Sequence, residues 1–213
     1  MHAITPGRPL VITDCDEVLL HMVGPFAQWL AETQGVTFTM NGNDFSRAMR
    51  RADTGDALEQ AEMWRLLGAF FDTEMHRQQP IAGAFAAMRA AAEVGHVVVL
   101  TNLEHHRNEA RTRQLADLGL PLRVFTNQGP KGPAIRAILE EYRPLRAVFI
   151  DDIAQHHGSA AQETPHVARL HLCGEPRMAP HISCAHQAGH AHARIDDWAK
   201  ATPWLIAQLN GDI

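Results

Sequence analysis

The 213-residue sequence predicts an α/β protein built on a doubly wound parallel sheet. Short runs of apolar, mostly β-branched residues recur along the chain. Most of these runs are continuous rather than alternating, as expected for strands buried on both faces of a parallel sheet. Helical patterns lie between the later runs, and strand–helix alternation of this kind is typical of a doubly wound layer.

Five runs are candidate strands, and they cover Leu10–Thr13, Val97–Thr101, Leu122–Phe125, Ala147–Ile150 and Val167–Leu172. The first four contain almost no polar residues, which predicts central positions in the sheet. The fifth includes Arg169 and His171, and this mixed character predicts an edge strand.

Four helices are predicted outside residues 20–80, one directly before the second strand-like run and three after it. They cover Ile81–Glu93, Arg107–Leu118, Gly132–Tyr142 and a last helix that ends near Asn210. Gly95 ends the first of these helices, as glycine commonly does. The pair Thr202-Pro203 predicts an N-cap followed by proline at the first helical position of the last helix.

Residues 20–80, between the first two strands, contain no strand-like run. Apolar residues recur at helical spacing in two stretches, one through Phe26 and Trp29 and a longer one through Leu58, Trp64, Leu67 and Phe71, with a loop at Asn41-Gly42-Asn43 between them. Sixty residues are too many for an ordinary connection. We therefore predict an inserted helical cap at 20–80, with Trp64 in its core, and a catalytic core formed by 1–19 and 81–213.

Composition excludes several classes of protein. Nineteen basic and 24 acidic residues give a net charge of −5, which argues against a nucleic-acid or anionic-membrane partner. No run approaches the roughly 20 apolar residues of a membrane span. Three cysteines are an odd count for a disulfide framework, so a reducing cytoplasmic location is expected.

Acidic residues follow the first predicted strand. Asp14 and Asp16 are two positions apart, and such residues share a face in extended chain, so their carboxylates can converge. Paired carboxylates can divide labour, one acting as an ionised nucleophile and the other transferring protons. The alternative is a pair of solvated turn residues, because an Asp-x-Asp pattern alone is weak evidence. Cys15 between them is expected to be a small buried core residue.

Other polar residues follow the remaining strands. The second strand ends at Thr101-Asn102, and the fourth ends at Asp151-Asp152. Lys131 stands just before a predicted helix, where its ammonium group can reach an anion favoured by the helix N-terminus. Ligands of open α/β sheets bind beyond the carboxyl ends of the strands, so these residues should share one crevice. Hard oxygen ligands suit Mg²⁺, which together with the lysine would neutralise a phosphoryl group.

In this order the motifs resemble those of the haloacid dehalogenase superfamily, specifically its phosphatase branch. The resemblance covers about Leu10 to Cys173. It rests on Asp14-Cys15-Asp16-Glu17-Val18, Val98-Val99-Leu100-Thr101-Asn102, Lys131, Ile150-Asp151-Asp152 and the Pro80-Ile81-Ala82-Gly83 helix start. It implies a Rossmann-like core with a helical cap that closes over the site and selects the substrate.

The resemblance also implies roles for the site residues. Asp14 would attack phosphorus and form an aspartyl-phosphate, and Asp16 would protonate the leaving oxygen and then activate water. Thr101 and the backbone of Asn102 would bind phosphate oxygens, while Lys131 would hold Asp14 and the phosphoryl group in register. Mg²⁺ would be held by Asp14, by the backbone carbonyl of Asp16 and by Asp152, with Asp151 close by.

The sequence departs from the family pattern at two positions. Glu17 replaces the usual glycine after the second aspartate, and His156 stands where many relatives have another aspartate. The presence of Asp16 argues against a dehalogenase, because those relatives typically lack this residue. A phosphomutase would share every motif and stays an alternative. The expected partner is a small phosphorylated metabolite, whose identity, like the oligomeric state, the sequence leaves open.

A histidine-rich segment follows the last predicted strand. Between 173 and 192 it contains Cys173, His181, Cys184, His186, His190 and His192. Residues of these types can hold Zn²⁺, but their spacing matches no standard zinc finger. Two interpretations stay open here: a polar excursion beside the cleft, or a metal site that would make the protein a non-catalytic metal-binding or sensing protein.

Overall fold

The computed structural model describes residues 4–40 and 47–212, so the loop predicted at Asn41-Gly42-Asn43 lies outside the described residues. In chain order the elements are β1 (Leu10–Thr13), α1 (Val23–Trp29), β2 (Val36–Phe38), β3 (Met49–Arg51), α2 (Gln60–Thr73), α3 (Ala84–Val94), β4 (His96–Thr101), α4 (Asn108–Asp117), β5 (Arg123–Thr126), α5 (Gly132–Tyr142), β6 (Ala147–Asp151), α6 (Ala154–Glu163), β7 (Ala168–His171), β8 (Ala193–Arg194) and α7 (Trp198–Asn210).

The main sheet has six strands in the order β5-β4-β1-β6-β7-β8, and all of its pairings are parallel. The predicted doubly wound α/β fold is therefore confirmed. β1 lies in the middle of the sheet, where Thr13 is in register with Val99 of β4 and Ile150 of β6. All four residues of β1 are buried, because neighbouring strands and both helical layers cover them.

Helices pack on both faces of the sheet. One face carries an apolar cluster to which α3 contributes Phe85 and Met88 and α7 contributes Leu205. The other face carries a cluster that includes Ile135 and Ile138 of α5. No helix of the described residues has the length and apolar character needed to cross a membrane.

The prediction of an edge position for the fifth strand is wrong, because β8 pairs along the outer side of β7. His192 donates its backbone N–H to the carbonyl of Arg169 at 2.8 Å, and Ile195 does the same to His171 at 3.0 Å. A strand of two residues has no recognisable pattern of its own, and it forms only because the chain returns alongside β7.

The predicted start of the last helix is also wrong, since α7 begins at Trp198. Asp197 is its N-cap and accepts a hydrogen bond from the backbone N–H of Lys200 at 3.1 Å. Thr202 lies inside the helix and donates its hydroxyl to the carbonyl of Trp198 at 2.6 Å. Pro203 lies inside the helix, where it has no backbone N–H to donate and so removes one backbone hydrogen bond.

The inserted segment, residues 20–80, is not purely helical. Strands β2 and β3 pair antiparallel within it, and Arg50 and Arg51 lie on β3. The segment has an apolar cluster of its own around Phe26, Trp29 and Phe70. The expectation that Trp64 is core is wrong, because 55% of this residue is exposed and the buried stripe of α2 runs one position earlier, through Met63 and Leu66. The division into a catalytic core and a cap stays a prediction.

The aromatic cluster allows a stability test of the inserted segment. Phe70 is fully buried, and its ring centroid lies 5.4 Å from that of Phe26 and 5.9 Å from that of Trp29. We expect Phe70→Ala to lower the free energy of unfolding by about 3–5 kcal/mol in urea titrations. Trp64→Ala is the matched control and should change it by less than about 0.5 kcal/mol. Similar losses for both variants would contradict the packing described here.

Candidate active site

The predicted site residues follow the central strands. Asp14 comes directly after β1 and donates its backbone N–H to the carbonyl of Ile150 at 2.8 Å, while Asp151 is the last residue of β6. Because β1 and β6 are parallel neighbours, both side chains emerge at the same edge of the sheet. The sheet order therefore brings Asp14 and Asp151 together although 137 positions separate them in the sequence.

A buried lysine bridges these two carboxylates. Lys131 is 1% exposed, and its Nζ donates to Asp14 Oδ1 and to Asp151 Oδ2, both at 2.7 Å. Burial would lower the pKa of Lys131, but the two carboxylates hold that pKa above its usual range. Lys131 is therefore charged, and it provides the cation that this pair of buried acids requires.

The pKa values of the two carboxyl groups beside Lys131 shift in opposite directions. Burial raises the pKa of Asp14 to about 7 in spite of Lys131. Burial acts on Asp151 in the same direction, but Lys131 holds the pKa of that carboxyl below its usual range. A positive charge bound at the oxygens of Asp14 would favour its ionised form, which is the form that can act as a nucleophile.

Three carboxylates are positioned to hold a hard divalent cation. One oxygen each from Asp14, Asp151 and Asp152 lies within 4.8 Å of the others. Both oxygens of Asp151 are engaged, Oδ2 by Lys131 and Oδ1 by the backbone N–H of Ile153 at 2.8 Å. The carboxylate of Asp152 is buried, and burial together with the charges of Asp151 and Asp14 raises its pKa well above the usual range. An all-oxygen set with this excess of buried negative charge fits Mg²⁺.

Asp16 belongs to a second hydrogen-bond network. Its carboxylate accepts hydrogen bonds from both terminal nitrogens of Arg111, at 3.0–3.2 Å, and from Gln78 Nε2 at 2.7 Å. Gln78 Oε1 in turn accepts from Arg111 at 3.1 Å. The two carboxylates have different hydrogen-bond partners, but the charge of Asp16 contributes to the raised pKa of Asp14, so their convergence stays a prediction.

Cys15 belongs to the Arg111 network as well. Arg111 Nη1 donates to Cys15 Sγ at 2.6 Å, and both residues are fully buried. Burial raises the pKa of the Cys15 thiol to about 12. The thiol is therefore protonated at neutral pH, which agrees with the expected core role and disfavours reactivity.

The predicted phosphate-binding residues end β4. Thr101 is buried, and its carbonyl accepts the backbone N–H of Asn127 at 2.9 Å. The Asn102 side chain donates to the carbonyl of Gly129 at 2.9 Å and accepts from Asn127 Nδ2 at the same distance. Asn102 therefore also fixes the loop that carries Lys131.

Two buried histidines, which the sequence analysis does not single out, hold the backbone of the acidic pair. His157 Nε2 hydrogen-bonds the carbonyl of Asp151 at 3.0 Å, and His171 Nε2 hydrogen-bonds that of Asp152 at 2.8 Å. Burial lowers the pKa of His157 to about 4 and also lowers that of His171. Both rings are thus neutral near pH 7. In His171 the second nitrogen accepts the N–H of Ala185, so Nε2 is the donor.

Each of the missed residues has a weak signal in the sequence. Arg111 is four positions before Leu115 and shares the buried stripe of α4, where an arginine requires a partner. His171 lies in the largely apolar run Val167–Leu172, where a buried polar side chain requires a hydrogen-bond partner. His157 directly follows His156, the departure from the family pattern, but it lies on α6, a helix that is not predicted from the sequence.

Glu17 caps the helix that follows it. Its φ of 60° is in the left-handed region, which explains why glycine is usual there. Its Oε1 accepts the backbone N–H groups of Met22 at 2.9 Å and Val23 at 2.5 Å, at the start of α1. Burial raises the pKa of Glu17 to about 7.

Among the described residues, no histidine or cysteine of the 173–192 segment belongs to either three-ligand group, although Glu175 of this segment belongs to one of them. Two of its histidine rings form hydrogen bonds with backbone groups. His192 Nδ1 accepts the N–H of Arg169 at 3.0 Å, and His186 Nδ1 hydrogen-bonds the carbonyl of Ala191 at 3.0 Å. The geometry agrees with a polar excursion beside the sheet.

No protein-family model and no curated protein sequence matches this chain. Solved structures do match over nearly its full length. A haloacid dehalogenase-family hydrolase from Deinococcus radiodurans R1, with bound phosphate and sodium, is 20% identical, with 96% of this chain and 97% of that chain covered and a TM-score of 0.64.

Two other structures illustrate the range of similar proteins. A predicted phosphoglycolate phosphatase from Haemophilus somnus 129PT is 14% identical, with 95% and 99% of the two chains covered and a TM-score of 0.61. An L-2-haloacid dehalogenase is 12% identical, with coverages of 93% and 100% and a TM-score of 0.60. At these identities the similarity concerns the fold: this chain has the fold of the haloacid dehalogenase-like hydrolases.

Proposed function

We propose that this protein is a Mg²⁺-dependent phosphatase that hydrolyses small phosphomonoesters through an aspartyl-phosphate on Asp14. One observation carries the proposal, namely the buried Lys131 that bridges Asp14 and Asp151 beside Asp152. This arrangement combines a nucleophile, a fixed cation and a set of oxygen ligands at the edge of the sheet where ligands bind.

Asp14 attacks phosphorus, and the phosphoryl group passes from the ester oxygen to its carboxylate. Lys131 keeps Asp14 oriented and offsets the charge of the phosphoryl oxygens, while Thr101 and the backbone N–H of Asn102 bind those oxygens. Asp14, Asp152 and the carbonyl of Asp16 would hold Mg²⁺, which would neutralise charge on the phosphoryl group. His157 and His171 hold the backbone of the acidic pair in place.

Asp16 transfers the protons in this scheme. It gives a proton to the leaving oxygen, and it takes one from the water that hydrolyses the aspartyl-phosphate. Arg111 and Gln78 fix the orientation of its carboxylate. The presence of this residue supports a phosphatase over a dehalogenase, because halide departure needs no proton donor.

The alternatives have less support. A metal-sensing role based on the histidine-rich segment is not favoured, because those side chains bind the backbone. A phosphomutase would use the same residues, and no contact of the described chain distinguishes it. The partner we expect is a small phosphorylated metabolite bound between the inserted segment and the sheet.

Metal removal is the first test. EDTA should abolish release of phosphate from a panel of small phosphate esters, and Mg²⁺ alone should restore it, because the carboxylate set is a hard-ligand site. Phosphate release is measured colorimetrically. Restoration by Zn²⁺ but not by Mg²⁺ would contradict this assignment.

The two aspartates should differ in a trapping experiment. Asp14→Asn removes the nucleophile, so turnover should fall to background and no phosphoenzyme should form. Asp16→Asn keeps the nucleophile but loses the proton transfer, so the aspartyl-phosphate should accumulate, most clearly from an ester with a good leaving group. Acid quenching after incubation with a ³²P-labelled ester, followed by peptide mapping, locates the label. Full activity of Asp14→Asn, or label on another residue, would contradict the proposal.

Lys131 should also be essential for stability. Lys131→Met leaves two buried carboxylates without their cation, and we expect it to lower the free energy of unfolding by about 3–5 kcal/mol at pH 7 in EDTA. The loss should shrink towards pH 4, where the carboxylates become protonated. Lys200→Met, at the exposed second lysine of the chain, is the matched control. A pH-independent loss would contradict the charge argument.

A further inference from the structure

A second group of ligand side chains lies outside the proposed active site. It consists of Glu17 in the turn after β1, His21 before α1 and Glu175 in the loop after β7. One ligand atom from each lies within 4.8 Å of the other two, and His21 Nδ1 is 3.1 Å from Glu175 Oε2. Two segments of the chain, the connection between β1 and α1 and the loop after β7, therefore meet at this point.

One oxygen of this group has no partner. Glu17 is 3% exposed, and its Oε1 accepts two backbone hydrogen bonds, but Oε2 is buried with no hydrogen bond from the described chain. An unpaired carboxylate oxygen in the interior costs free energy, and a bound cation is one of the few partners that can compensate it.

The group is open to solvent on one side. His21 and Glu175 line a cavity of about 660 Å³, whose wall also includes Gly24 and Arg177. An ion could enter by this route, and water could fill the coordination positions that the protein leaves free. Glu17 and Glu175 are buried, and His21, whose side chain is 29% exposed, is the accessible member of the group.

We propose that Glu17, His21 and Glu175 form a Zn²⁺ site separate from the phosphatase site. One imidazole and two carboxylates are a common donor set for this ion. Two ligands of a tetrahedral Zn²⁺ lie about 3.4 Å apart, close to the separation of His21 Nδ1 and Glu175 Oε2. The ion would join the turn after β1 to the loop after β7, and no step of the proposed phosphatase reaction uses it.

Arg177 opposes this binding. Its Nε donates to Glu175 Oε1 at 3.0 Å, its Nη2 donates to Oε2 at 3.3 Å, and 72% of its side chain is exposed. A cation at the site must compete with this guanidinium group for Glu175. Removal of Arg177 should therefore strengthen metal binding, a result that a merely structural cluster would not give.

Isothermal titration with Zn²⁺, with a competing chelator and saturating Mg²⁺ present, tests the proposal on the full chain. Wild type should bind one Zn²⁺ that Glu175→Gln and His21→Ala each weaken about tenfold or more. Arg177→Ala should tighten it several-fold. His166→Ala, at an exposed histidine, is the control and should change nothing. Asp152→Asn should keep this Zn²⁺, which separates the site from the carboxylates of the phosphatase proposal.

Other results would overturn the proposal. Equal Zn²⁺ binding by wild type and by a folded Glu175→Gln variant, judged by circular dichroism, would show that the ion binds elsewhere. Loss of the ion only in Asp152→Asn would assign it to the proposed active site. Neither result would affect the phosphatase proposal, which is tested by trapping of the phosphoenzyme.

Discussion

The site depends on one constraint, the burial of a lysine between two carboxylates. Lys131 Nζ has Asp14 and Asp151 at 2.7 Å each, and an isolated charge of this kind would not be tolerated in the interior. The loop before α5 must therefore approach the sheet closely. Gly132, the first residue of α5, also permits close packing against α6, because a Cβ there would lie 2.5 Å from the carbonyl oxygen of Ser159.

Two buried histidines, His157 and His171, contribute to the same close packing around the acidic pair. Two consecutive aspartates at the end of β6 require a fixed backbone if Asp151 is to bind Lys131 while Asp152 stays available to a metal ion. His157 and His171 provide it from different elements, α6 and β7, through carbonyl contacts that suit a neutral ring. Histidines are abundant in this chain, and in the 173–192 segment the rings of His186 and His192 likewise hydrogen-bond the backbone.

Much of the fold was predictable, since buried parallel strands are continuous apolar runs and α5 has clear signals at both ends. Elements that depend on tertiary contacts could not be predicted from the sequence. β8 is too short to carry a pattern, α6 is polar apart from its buried histidines, and the buried stripe of α2 is shifted from Trp64 to Met63. The residues of the candidate site could be identified by motif, but motifs do not describe what surrounds them. Arg111 shows this, because its role depends on a carboxylate 95 positions away.

Asp16 connects the site to the inserted segment. Gln78, near the end of that segment, and Arg111, on α4, both bind its carboxylate. A second ion pair, between Asp72 of α2 and Arg107 just before α4, joins the same two parts of the chain, with Arg107 Nε 2.6 Å from Asp72 Oδ1. The orientation of the residue that transfers protons in our scheme is therefore set jointly by the sheet layer and by the inserted segment. Any change in how that segment packs against α4 would act first on Asp16 and only indirectly on Asp14, whose partners Lys131 and Asp151 both belong to the sheet layer.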